Sequence, residues 1–166
     1  MNNPNNLEIE RAVLGACMFG NHQVIEKVGA IVSPESFYHP DHRKVFAAII
    51  HLANQGRPVD TLTVCDQIGP MKDGAYMVAS IAGESATDAN AEYHAQIIQD
   101  LYARRCIILR AQALAGRAED ESEELPSILS DAEGVCKDLS SGQLEAWVDI
   151  EQSIEEALAE AQRCLL

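Results

Sequence analysis

Polar and apolar residues along the chain repeat with a helical period almost throughout. Ile9, Val13, Leu14, Cys17 and Met18 form one stripe over about 7–19, capped by Asn6 and ended by Gly20-Asn21. Val24, Ile25, Val28, Ile31 and Val32 predict a second helix over about 22–32. Ser33-Pro34-Glu35-Ser36 restarts the chain as a short turn, with Ser33 as cap and Pro34 at the first helical position. Pro40 opens a third helix over about 40–55, with Val45, Phe46, Ile49, Ile50 and Ala53 on one face and Gly56 closing it. Asp60 caps a fourth over about 61–69; its start is rich in Val and Thr, but Val64, Cys65 and Ile68 keep the helical period. Gly69-Pro70 breaks the chain. A fifth helix, about 73–83, turns Val78, Ile81 and Ala82 inward.

The longest stretch follows, from about Ala89 to Ala118, with Asp88 or Asn90 as its cap. No proline interrupts it, and its apolar residues include Ile97, Ile98, Leu101, Ile108, Leu109 and Leu114. At ~1.5 Å per residue, about 28 residues make a rod of roughly 40 Å. Leu125, Ile128, Leu129, Ala132, Val135, Cys136 and Leu139 then predict an amphipathic helix with Pro126 in its first turn. The acidic connection Glu119–Glu124 is short enough to force an antiparallel helical hairpin. Residues 140–148 read as a small flexible linker around Trp147. A last helix, about 149–165, lines up Ile150, Ile154, Ala157, Leu158, Ala161 and Leu165. The prediction is an all-α chain: a globular head over 1–88, a hairpin over 89–140, a linker over 141–148 and a terminal helix over 149–166. The long helix carries more apolar surface than one neighbour covers, so Ile97, Leu101, Ile108, Leu114, Ile128, Leu129 and Val135 are candidate self-association residues. The terminal helix behind its linker is expected to dock elsewhere through Ile150, Ile154, Leu158, Ala161 and Leu165.

Charge sharpens this picture. The net charge is −14 over 166 residues, and residues 119–166 contribute 14 acids against 2 bases. That end repels phosphate, which argues against strong nucleic-acid binding. It is either a solvated face or a docking surface for a basic partner. The five cysteines, at 17, 65, 106, 136 and 164, form no CxxC pair and read as buried thiols of a cytoplasmic protein. The first residues lack a signal peptide's basic and apolar regions, and no apolar run is long enough to span a membrane.

Candidate chemistry is sparse. Gly15 and Gly20 have the glycine spacing of a phosphate loop, but Asn21-His22 follows where Lys-Ser/Thr is needed. His39 and His42 are three apart, yet no Cys or Glu completes a metal set at the usual spacing, so they read as packing and hydrogen-bonding residues. Arg104, Arg105 and Arg110 are expected to meet acids or solvent. Neither a nucleophile elbow nor HExxH nor GxGxxG occurs, so no catalytic, cofactor or metal site is expected.

One ordered series of residues resembles a known family. It runs from Pro4, Glu8-Ile9-Glu10 and Val13-Leu14-Gly15 through Phe37-Tyr38, His42 and Val45-Phe46-Ala47-Ala48-Ile49. It continues through Gly56-Arg57-Pro58-Val59-Asp60, Thr63-Val64 and Gly74-Ala75-Tyr76 to Asn90-Ala91-Glu92-Tyr93-His94-Ala95 and Ile98. The chain thereby resembles the N-terminal domain of DnaB-type replicative DNA helicases. The resemblance implies hairpins that pair between subunits, three pairs forming a collar over a hexameric ring. It also implies a linker helix that docks on a neighbouring subunit's motor domain, and a collar that binds primase and, in some systems, a loader protein. The sequence departs from the family in carrying no motor domain with its phosphate loop, so by itself it is expected neither to hydrolyse ATP nor to unwind DNA. Gly69-Pro70-Met71-Lys72 is shorter than the family's stretch, and Asp73-Gly74 stands where the family has paired glycines. Two origins fit: a piece of a full helicase, or a natural short protein that caps, loads or inhibits a host helicase. An unrelated helical adaptor would leave the ordered series unexplained.

Overall fold

The structure, a computed structural model, describes residues 3–70, 74–84 and 89–141. Within them the chain is all-α, with seven α-helices and one 3-10 turn. The expected linker, the terminal helix with Ile150, Ile154, Leu158, Ala161 and Leu165, and also Asp88 and Cys164, lie outside the described residues.

The helix boundaries follow from capping chemistry. α1 spans Leu7–Phe19, and the Asn6 side chain accepts from the Ile9 N–H at 3.2 Å. α2 spans His22–Gly29, with Asn21 accepting from Val24 at 3.2 Å. Gly20 lies between them because a Cβ there would stand 2.6 Å from the Ala16 carbonyl and 3.0 Å from Val24. Pro34–Ser36 forms the 3-10 turn, and the Ser33 N–H donates to Ser36 Oγ. α3 spans Pro40–Asn54, and Gly56 turns the chain at φ +65°. α4 spans Thr61–Ile68, where Asp60 accepts from the N–H groups of Leu62 and Thr63, both at 2.9 Å. The hydrogen bond from Thr63 leads the causes that hold the Asp60 carboxyl below its usual range. α5 spans Gly74–Glu84, α6 Ala91–Glu119 and α7 Leu125–Ser141.

The periodicity overran the end of one helix. α2 stops at Gly29 rather than near residue 32, because Val28 accepts from both Ile31 and Val32 and tightens the chain into a turn. Val32 still reaches the core from that turn, so an apolar period outlasted the helix that suggested it.

The chain divides into two compact units, Met1–Tyr102 and Ala103–Leu166. In the first, α1 packs on α2, α3 and α5, α3 on α2 and α4, and α4 on α5. Its core centres on Leu14, Phe37, Phe46, Ile49, Leu52 and Ile81, with the Phe37 and Phe46 rings 4.9 Å apart. The first turns of α6 join this core through Ala91, Ala95 and Ile98. Lys27 of α2 also pairs with Glu92 at 2.7 Å, and Ser36 donates to Gln99 at 2.9 Å. Residues 120–124 connect α6 to α7 in the second unit.

Candidate self-association surface

Three pieces of the first unit are held by one carboxylate. Glu10 is 2% exposed and His42 is 3% exposed. Glu10 Oε1 accepts from the Tyr38 N–H at 2.6 Å, and Oε2 accepts from the His39 N–H at 3.3 Å. His42 Nδ1 lies 2.6 Å from the same Oε2. A buried carboxylate is tolerated where donors replace its water, and here they do. The result fixes the start of α3 against α1. Arg43 adds a hydrogen bond from Nε to the Phe37 carbonyl at 2.7 Å, and the Asp41 N–H donates to His39 Nδ1 at 3.2 Å. The reading of His42 as a packing and hydrogen-bonding residue agrees with this geometry. Its partner Glu10 did not emerge from the sequence, though a signal was present. Glu10 precedes Val13, Leu14 and Cys17 by three, four and seven positions, the spacing of a core residue.

One cation near the end of α6 ties that helix to the connection and to the start of α7. The Arg117 guanidinium donates to Glu123 (2.7 Å from Nε), to Ser127 Oγ at 3.1 Å and to Asp131. These partners span the tip and the first turns of α7. The Glu123 carboxylate leads the causes that raise the Arg117 pKa. Asp120 accepts from both the N–H and the hydroxyl of Ser122 within the tip. Two of the fourteen acids of residues 119–166, Glu123 and Asp131, are thus gathered around a single arginine.

The candidate apolar residues take different positions. Ile97 and Leu101 are half-buried in the first unit. Ile108, Leu114, Ile128 and Val135 are half-buried in the second, and Leu129 is 55% exposed. Six large exposed apolar residues were not among the candidates: Phe19, Leu62, Tyr76 and Tyr93 in the first unit, and Leu125 at 64% and Ile107 at 44% in the second. The apolar stripe of α7 splits lengthwise. Ile128, Ala132 and Val135 form its covered edge, while Leu125, Leu129 and Cys136 share the open one. Periodicity locates a stripe but not which edge a neighbour reaches, so sequence could not divide it.

One expectation needs correction and another is narrowed. Cys136 is exposed, on the open edge of α7, whereas Cys17 and Cys106 are buried and Cys65 is half-buried. Burial pushes the Cys17 thiol up to about 12. Arg105 is 2% exposed, which removes solvent, one of its two expected neighbours. Tyr102, Arg105 and Cys106 lie three and four apart and share one buried helix face, so Arg105 follows the apolar period despite its charge. Among the described residues no group of His, Cys, Asp or Glu is placed to hold a metal, and no helix is long and apolar enough to cross a membrane.

Comparison with known proteins agrees with the fold. Residues 2–100 match the family described as the DnaB-like helicase N terminal domain. The replicative DNA helicase DnaB of Geobacillus stearothermophilus is 30% identical over 142 residues, covering 82% of this chain and 31% of that protein. DnaB of Rhodothermus marinus is 35% identical over 147 residues, covering 85% of this chain and 15% of that protein. The chain therefore spans a third or less of these relatives. The crystal structure of the N-terminal domain of DnaB helicase from Mycobacterium tuberculosis superimposes with a TM-score of 0.74 at 25% identity. That match covers 82% of this chain and 99% of the other. On the match over residues 2–100, and with the same all-α fold, the chain belongs to the DnaB-like helicase N-terminal domain family.

Proposed function

We propose that this chain is the N-terminal scaffold and oligomerisation domain of a hexameric replicative DNA helicase, acting in the cytoplasm during DNA replication. The hairpin pairs with that of a second subunit, and pairs assemble into a collar. The observation that carries this reading is the open apolar edge of α7, Leu125 and Leu129, in a chain of this family. Solvent-exposed leucines in register on one helix are costly unless covered, and a second copy of the same edge is a self-complementary cover. Sedimentation velocity tests the idea: the purified chain should run as a dimer or larger at high micromolar concentration. A clean monomer there would remove the proposal.

The finer roles follow from family membership. The collar binds primase and, in some systems, a loader, and residues 149–165 dock on the motor domain of a neighbouring subunit. The motor domain supplies ATP-driven unwinding, and this chain supplies subunit arrangement. Retention of the chain on immobilised primase C-terminal domain tests the first role; no retention would exclude it. Leu158→Asp tests the second: binding to an isolated motor domain should be lost while helix content is kept.

A further inference from the structure

The stretch Gly56-Arg57-Pro58-Val59-Asp60 has structural work for four of its five residues. Gly56 makes the turn at positive φ. Pro58 stiffens the loop, Val59 packs against the core, and Asp60 caps α4. Arg57 is the one left over. Its backbone is fixed, since its N–H donates to the Leu52 carbonyl at 3.0 Å. Its side chain is exposed, and among the described residues the guanidinium makes no hydrogen bond or ion pair.

Arg57 stands in a cleft of about 390 Å³ between this loop and the junction of α1 with α2. Pro58 and Val59 supply its apolar wall over a nearly buried Ile25, and His22 also lines it. No acid lines it. The two nearest in sequence are already engaged: Glu26 pairs with His22 at 3.5 Å, and Asp60 accepts the α4 N–H groups. The cleft is thus a basic, apolar-walled recess in a unit whose residues 1–102 carry 12 acids against 6 bases. Such a contrast favours a ligand with both an apolar side chain and a negative charge, because the apolar wall gains from burial and the arginine from a carboxylate fork.

We propose that this cleft is a docking site for a short acidic peptide segment of a partner protein, one apolar side chain seated against Pro58 and Val59 and an adjacent carboxylate paired with Arg57. The site lies wholly within residues 20–59, so it stands apart from the self-association reading and its test reads the same in monomer or oligomer.

The probe is a capped tetrapeptide of two aspartates followed by leucine and phenylalanine, titrated calorimetrically into the full chain at low salt. Its control carries two asparagines in place of the aspartates. The acidic peptide should bind at about millimolar Kd or better, about tenfold tighter than the control, and weaken as salt is added. Hydrogen–deuterium exchange should show slowed amides at residues 20–25 and 56–60. Arg57→Glu should weaken binding about tenfold or more while leaving the urea midpoint unchanged, because the guanidinium is exposed. Equal affinity for the two peptides, unchanged binding by Arg57→Glu, protection elsewhere on the chain, or no heat at several millimolar peptide would each overturn the proposal.

Discussion

The Glu10 carboxylate shows how one buried charge can organise three segments. It accepts from Tyr38, His39 and His42, so its removal leaves N–H donors without their acceptor in a largely buried site. Glu10→Gln keeps the volume but places an amide NH2 where an acceptor is required. The expected loss in urea unfolding is roughly 3 kcal/mol, with α-helical content retained at low denaturant. A loss below about 1 kcal/mol, the worth of one ordinary neutral hydrogen bond, would show that the carboxylate is not the anchor. Thiol chemistry gives a second residue-scale test. Cys17, raised by burial to about 12, should react with a disulfide reagent only on unfolding, whereas Cys136 should react in the native state. The same burial sets a pH dependence. Because the folded thiol titrates above its ordinary 9.0, the stability it contributes is full below pH 9 and is lost between 9 and about 12. Cys17→Ser should flatten that alkaline decline.

At the scale of the element, α7 is the test of the assembly. Leu125→Ser with Leu129→Ser replaces two exposed leucines by hydroxyls and leaves the covered edge of Ile128, Ala132 and Val135 intact. Each leucine buried at an interface is worth about 1.5–3 kcal/mol, so the double variant should weaken self-association by more than about tenfold. The monomer's circular dichroism should not change. An unaltered sedimentation profile would place the contact elsewhere. Much of the element layer was legible in the sequence because caps announce themselves chemically: Asn6 and Asp60 each stand where an oxygen meets free N–H groups, while Asn21, read only as the end of the first helix, also caps the second. The overrun at α2 arose because Val32 stays in the core after the helix has ended. Leu125 and Ile107 escaped the candidate set for a different reason. Sequence records that a residue is apolar, while exposure depends on which neighbour arrives. Glu10 and Arg105 were hidden by their charge, although both stand in register with buried neighbours on their own helices.

For the whole molecule, the distribution of charge predicts how assembly responds to salt. Residues 89–140 carry ten acids and five bases, so paired hairpins bring a net negative charge together. Screening should therefore tighten self-association as ionic strength rises, with the Debye length falling from about 30 Å at 0.01 M to about 8 Å at 0.15 M. A dimer that loosens with salt would mean that opposite charges hold it. The acidic peptide at Arg57 should show the contrary trend, so one salt series separates the two surfaces. The Glu10 anchor also has a consequence for time rather than for energy. Its acceptors need residues 38, 39 and 42 in place, 28 to 32 positions away, before the carboxylate can give up its water. The expectation is that a bond set between such distant segments closes after the main barrier of folding, so that its loss is felt on the way out. In stopped-flow measurements Glu10→Gln should leave the refolding rate nearly unchanged and put most of its effect into faster unfolding. The carboxylate would then act as a latch on the lifetime of the native head, setting how long each copy stays folded between openings.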